Sequence, residues 1–467
     1  MKLKHGIVII LMALCFTGNN VIYASQTEQP VVSDTVVRNV VNDAFSLLIH
    51  TSDQGAVDRA FTILEAYWQP GFIPQLLDIM SVPRNGYTPQ KALELLEVQT
   101  GQNFGRILND WYFWLWNQPE ELLPDYGNFK ADLLGQIDPK FEAYFRGQQP
   151  SARIRLDEVR WGGVLQDGIP PLRNPEMIHV SKASYLEDDN IIFGIEINGD
   201  ARAYPKRILA WHEMFTDTIG GIDIAGVYCT LCGTVIPYKT NHEGVDYKLG
   251  TSGFLYRSNK LMYDQKTQSL WSTVRGEPVI GPLVDKGIAL EQVSIVTTTW
   301  GEWKRRHPDT TVLSLNTGHH RDYGEGIAYQ RYFSNDLLMF NTPFENNQLK
   351  NKQEVLALTF PASPKEQLAI DTNFLNNHPL YKDKIGQQKL LILTDTSGAN
   401  RVYDPENFNF VSYDGDSTLI DSMGNEWKMS EDTLISLNND ITLERLPSRR
   451  AFWFGWYAAF PDTRLVK

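Results

Sequence analysis

Cysteine is almost missing from this chain. Three occur in 467 residues, at Cys15, Cys229 and Cys232, so no framework of structural disulfides can hold the fold together. Long apolar runs are equally scarce. Beyond the N-terminus no stretch approaches the ~20 apolar residues that a membrane-spanning helix needs, so no transmembrane segment is expected in the mature chain. Positive charge is also short: 43 Lys and Arg face 56 Asp and Glu, a formal net charge of −13. That sign argues against a nucleic-acid binder and against docking on anionic lipid by charge alone. Aromatic residues, by contrast, make up 12% of the chain and include 12 Trp. They supply ample material for buried cores, and the length suggests two or three domains.

Residues 1–24 read as a signal peptide. Lys2 and Lys4 give a positive start, Ile7 to Phe16 is an apolar run too short to span a bilayer, and small Ala24 stands at a cleavage position. The mature protein is then expected to begin near Ser25, in the periplasm or outside the cell. Cleavage removes Cys15 together with Lys2 and Lys4, so 41 of the 43 basic residues face 56 acidic ones and the formal charge becomes −15. Two thiols spaced i, i+3 are left in an oxidising compartment. A bridge between them closes a tiny loop and is a poor structural staple.

The periodicity divides the chain. Val57, Phe61, Leu64 and Trp68 recur at helical spacing, as do Ala92, Leu95 and Leu96 after the helix start Thr88-Pro89. Trp111 to Trp116 reads as a buried helix. Breaks fall at Pro83-Arg84-Asn85-Gly86 and Asn117-Gln118-Pro119, and Gly147 to Ser151 is the best linker. From about residue 152 the texture turns to strands. Asn198-Gly199 marks a hairpin, Pro205 opens a short helix, and Thr299 with Glu302 forms a capping box on a helix ended by Pro308. The expected fold is α+β: an all-α helical domain over 34–146, then a larger, mainly antiparallel β-rich domain over 152–467 with a few short helices. Asp189 to Leu209 and Gln353 to Leu375 echo each other, a pattern that either a duplicated unit or two generic hairpins would give.

Chemistry centres on Tyr228-Cys229-Thr230-Leu231-Cys232-Gly233-Thr234. Thiols at this spacing form an easily exchanged disulfide, and their surroundings can lower one pKa to give a thiolate nucleophile. The same spacing followed by Gly is also a metal knuckle. Strands on both sides favour the knuckle over a thioredoxin-type site, whereas the lack of a second Cys pair leaves a zinc site short of ligands. His212 is the best third member, because Ile208, His212 and Phe215 fall on one face of the helix opened by Pro205. His319-His320 and His242 are weaker candidates.

Several segments carry a resemblance. They are Trp161-Gly162-Gly163-Val164, Asp167-Gly168-Ile169-Pro170, Asn198 to Pro205, Trp211-His212-Glu213, Tyr228 to Thr234, Ser252 to Tyr256, Met262-Tyr263-Asp264, Leu270-Trp271-Ser272, Trp303 to Asp309 and Phe452 to Trp456. In order and density they resemble the bacterial "domain of unknown function 3179" family, over about residues 155 to 460 and excluding the helical region. Some similar proteins carry selenocysteine in this motif. The resemblance therefore implies redox use, since selenium is the better nucleophile and leaving group. Thr230 stands where the family often has Pro, which would shift the thiol's potential or the loop's rigidity.

The expected function is a thiol–disulfide or peroxide-type redox protein of the cell envelope. Cys229 attacks, Cys232 resolves the mixed disulfide and His212 assists proton transfer, with no cofactor and with a redox partner or protein substrate of unknown identity. The alternative is a non-catalytic copper or zinc module using Cys229, Cys232 and His212. A third reading is a binding protein whose helical domain recruits a partner.

Overall fold

The computed structural model describes residues 34–467 apart from Asn85 and Glu120; the expected signal peptide and Cys15 lie outside the described residues. The architecture is α+β, as expected. Helices Asp34–His50, Gln54–Ala66, Phe72–Ser81, Tyr87–Thr100, Leu108–Trp116 and Tyr126–Gly135 come first. Local chemistry sets their ends. The Asp53 carboxylate accepts the Ala56 N–H at 2.8 Å, and Gly101 stops its helix in the left-handed region at φ 70°. The aromatic run is the buried helix that its period implied, with Trp111, Tyr112, Leu115 and Trp116 inside. Asp78 is buried among these helices, and Tyr112, Tyr126 and Lys130 all donate to it, so its charge is matched.

The helices share one core with a five-stranded sheet built from Val159–Trp161, Leu249–Tyr256, Asn259–Asp264, Leu270–Ser272 and Glu277–Ile280. Phe254 of that sheet packs edge-on against Phe141 and Phe145, with ring centroids 4.8 and 5.2 Å apart. The segment joining the two regions is anchored: the Gln149 side chain accepts from Gly127 N at 2.8 Å and donates to Leu123 O at 2.9 Å.

The rest of the β region contains one unit twice. In the first copy, the hairpin Ile191–Ile197/Asp200–Pro205 leads into helix Lys206–His212 and then strands Met214–Ile219, Ile222–Cys229 and Thr234–Lys239. In the second, Glu354–Thr359/Gln367–Asp371 leads into helix Thr372–Asn377 and strands Leu380–Ile385, Gln388–Thr394 and Asn400–Tyr403. After an inserted sheet each copy closes with strand, helix and strand: Val296–Thr299, Trp300–Arg306, Thr311–Leu313 in one and Arg449–Phe452, Trp453–Ala459, Arg464–Val466 in the other. Pairing is the same in both. The closing strand runs antiparallel to the first strand of its copy, and the last strand runs parallel to the second. The sequence echo is therefore a duplication, and it extends to side chains. Trp303 Nε1 donates to Thr310 Oγ1 at 2.9 Å, and Trp456 Nε1 donates to Thr463 Oγ1 at 2.9 Å.

Each copy leans on the cysteine-type turn of the other. Phe452 N–H donates to Cys232 O at 2.7 Å, while the Thr298 and Ser397 hydroxyls meet at 3.2 Å.

Candidate functional site

Cys229 ends the strand Ile222–Cys229 and pairs with Thr234 across the turn. The two cysteines are disulfide-bonded with Cα atoms 5.3 Å apart, and the turn is closed by Cys232 N–H donating to Cys229 O at 3.1 Å. Gly233 takes φ 61° with the Phe452 ring where a Cβ would stand, so both conformation and space require glycine. Burial is nearly complete, at 2% exposure for Cys229 and 1% for Cys232. The neighbouring hairpin turns at Arg257 and Ser258, both with positive φ, a two-residue turn of the kind that matches sheet twist. This places Ser258 O 3.2 Å from Cys232 Sγ and 4.0 Å from Cys229 Sγ, ready to accept from a thiol once the pair is reduced.

Glu213 is the residue that joins helix to cysteine turn. It caps Lys206–His212 in the left-handed region at φ 56°. Its carbonyl accepts Tyr228 N–H at 2.9 Å. Its carboxylate accepts from Thr230 Oγ1 at 2.9 Å and Tyr329 OH at 2.8 Å, and it forms an ion pair with Lys260. Both charged residues are buried, and mutual pairing with added hydroxyl donors is what lets charge stay there. Burial and the Glu213 carboxylate push Tyr329 above the ordinary phenol range, so it remains a donor.

A small cavity of about 60 Å³ lies against this cluster, lined by Cys229, Thr230, Glu213, Lys260 and Tyr329 on one side. Its remaining wall is mostly apolar, including Phe254, and it is bounded by the half-exposed Met339. Cys232 does not line it.

His212 sits elsewhere. Its Nδ1–H donates to Pro170 O at 2.9 Å and its Nε2 accepts from Tyr323 OH at 2.6 Å, the pattern of a neutral imidazole. Burial pulls its pKa down to about 4. Its ring lies 5.1 Å from that of His319, while His320 is exposed and His242 lies in the separate hairpin with Val245–Asp246. Among the described residues no three of His, Cys, Asp and Glu gather as a metal ion requires.

The second copy is an internal comparison. Asp395 stands where Cys229 does, directly after the strand Gln388–Thr394, and its carbonyl accepts from Gly398 N–H at 2.8 Å as that of Cys229 accepts from Cys232 N–H. There the carboxylate closes the turn by accepting from Ser397 N–H at 2.9 Å, Ser397 Oγ at 2.6 Å and Ala399 N–H at 3.0 Å, with Arg401 behind it at 2.8 Å. Pro379 takes the place of Glu213 just before the strand, yet His378 persists at the position of His212 and its Nδ1–H donates to Phe374 O at 2.8 Å. Cysteines and glutamate are thus present together or absent together, and the histidine belongs to the helix end.

Sequence reasoning had both cysteines but not Glu213, Lys260, Ser258 or Tyr329. Only Glu213 carried a signal, as the last polar residue before a strand that leads to Cys229.

The fold and site define a class: a duplicated α+β protein with a disulfide-bonded cysteine turn buried where its two copies meet. The chain belongs to the family described as "Protein of unknown function (DUF3179)", whose model matches residues 166–463 and so spans both copies. No curated protein and no solved structure matches the chain.

Proposed function

We propose that this is an exported thiol-dependent redox protein of the cell envelope, of the thiol–disulfide or peroxide type, in which Cys229 and Cys232 cycle between dithiol and disulfide. One observation carries the reading. The second copy builds the same turn from Asp395 with no cysteine, so a disulfide is not what the turn needs in order to fold. Chemistry then remains as the reason for the pair in the first copy. Cys229, at the strand end and on the cavity, is the attacking thiolate; Cys232 resolves the intermediate. The sequence reading gave His212 proton transfer; with both ring nitrogens engaged it instead holds the helix end, and the charged pair beside Cys229 is Lys260 with Glu213.

The test is thiol labelling and intact mass, native and denatured, on protein isolated from the cell envelope. The disulfide should be reducible by modest dithiol, with a potential above about −300 mV, the level below which structural bridges fall. Cys229→Ser should abolish exchange with a model disulfide or oxidant, and Cys232→Ser should trap the intermediate. Stoichiometric zinc or copper on the isolated protein, with thiols that react only after chelation, would overturn the redox reading in favour of the metal module.

A further inference from the structure

We infer that the oxidant served by Cys229 is a small hydroperoxide, bound in the cavity walled by Lys260, Glu213 and Tyr329. The inference rests on the redox reading of the cysteine pair and names its substrate class.

Size comes first. A cavity of about 60 Å³ has room for roughly four to six water-sized centres, at 10–15 Å³ for each. Hydrogen peroxide or a short alkyl hydroperoxide fits. A polypeptide disulfide does not, since its sulfur would have to reach a Cys229 that is only 2% exposed. Asymmetry comes second. Cys229 lines the cavity and Cys232 does not, which separates an attacking sulfur from a resolving one. Charge comes third. Lys260 is a buried cation in the same wall, held in place by Glu213, which is itself fixed by Thr230 and Tyr329. A cation there favours the Cys229 thiolate and the negative charge that grows on the departing oxygen. The titratable groups that line the cavity with Cys229 are thus Glu213, Lys260 and Tyr329, with Tyr332 behind Leu231 through its bond to Leu231 O at 2.8 Å. The second copy lacks both the cysteines and the glutamate.

The chemistry balances. Cys229 sulfur attacks the terminal oxygen of ROOH; the S–O bond forms and the O–O bond breaks. The proton lost by the thiol ends on the departing oxygen, giving ROH and a Cys229 sulfenic acid. Cys232 sulfur then attacks Cys229 Sγ; the S–S bond forms, the S–O bond breaks, and hydroxide leaves with the Cys232 proton as water. The two thiols have supplied two electrons, and the disulfide is the state found here. An external dithiol returns the pair to the reduced form by exchange.

Reduced protein should be mixed with hydrogen peroxide, cumene hydroperoxide and oxidised glutathione in separate single-turnover experiments. Hydrogen peroxide should oxidise the pair at least about tenfold faster than it oxidises free cysteine at neutral pH. In Cys232→Ser, dimedone should label Cys229. Lys260→Met should slow the reaction and Lys260→Arg should restore most of it. Met339→Ala, at a half-exposed position, should raise the cumene hydroperoxide rate relative to the hydrogen peroxide rate, and it decides the matter if Lys260→Met fails to fold. Fast exchange with glutathione alongside a peroxide rate no better than free cysteine would overturn the hydroperoxide assignment and leave the redox reading standing. Inertness to all three oxidants would overturn both. An unchanged substrate ratio in Met339→Ala removes the cavity as the route.

Discussion

Removing the Lys260 cation while Glu213 stays in place probes the buried pair beside the cysteines. Their side chains are 9% and 5% exposed, so either single substitution strands a charge in a low-dielectric site, at about 3–5 kcal/mol. The two halves differ. In Lys260→Met the Thr230 and Tyr329 hydroxyls still donate to Glu213, at 2.9 and 2.8 Å, and hydrogen bonds to a charged group are worth about 1.5–3 kcal/mol each. That places Lys260→Met near the low end, about 3 kcal/mol. Glu213→Met strands the ammonium and leaves both hydroxyls without their acceptor, so about 5 kcal/mol is expected. The double variant removes both charges but still leaves the two hydroxyls without their acceptor, so it should cost about 2 kcal/mol, well short of the sum of the single losses. Urea unfolding of the four oxidised proteins, extrapolated to water, gives the cycle. Effects that add to within about 0.5 kcal/mol would mean that the two residues do not interact, and the account of the site would fail.

Acid should weaken the fold through His212. Burial lowers its pKa from 6.5 to about 4, so the unfolded chain takes up a proton that the folded chain refuses. Stability is lost as pH falls from about 6.5 to about 4, with no further loss from this group below that; His212→Gln should flatten the slope in urea midpoints over this window. Trp303→Phe and Trp456→Phe each delete one indole bond to a threonine, at 2.9 Å in both copies. Matched losses of about 1 kcal/mol beyond the smaller ring are expected, and a large mismatch would argue against equivalence of the copies. Mass spectrometry of the exported protein should place its N-terminus at Ser25; an intact Met1 would overturn the export expectation.

The parts of the fold that were legible in the sequence depended on near neighbours. Helical spacing around Phe61 and Leu96, the Asn198-Gly199 turn with φ of 51° and 82°, and the Thr299 cap bonding Glu302 N–H at 3.3 Å are local, and each formed as expected. The duplication was half visible. Hairpins were read as similar, but proof lay in strand pairings between residues far apart, such as Thr311 with Arg202 and Arg464 with Leu368. The site divided in the same way. Cys229 and Cys232 announce themselves by spacing. Glu213, Lys260 and Tyr329 come from a helix cap, a hairpin and an irregular segment, and no period or motif links them. His212 drew notice because it shares an apolar helix face, and that face packs on Pro170 and Tyr323 instead of on the sulfurs.

The cysteine turn is laid down midway along the chain, but Phe452 and Gly455, which cover it, come almost at the end. A chain that emerges N-terminus first therefore carries an unroofed thiol pair while nearly all of its second half is made. Oxidising enzymes too large for the finished cavity have access during that interval and lose it once the second copy docks. On the proposed redox reading, first oxidation of the pair and its later cycling are open to different reactants, with completion of the chain as the moment that divides them.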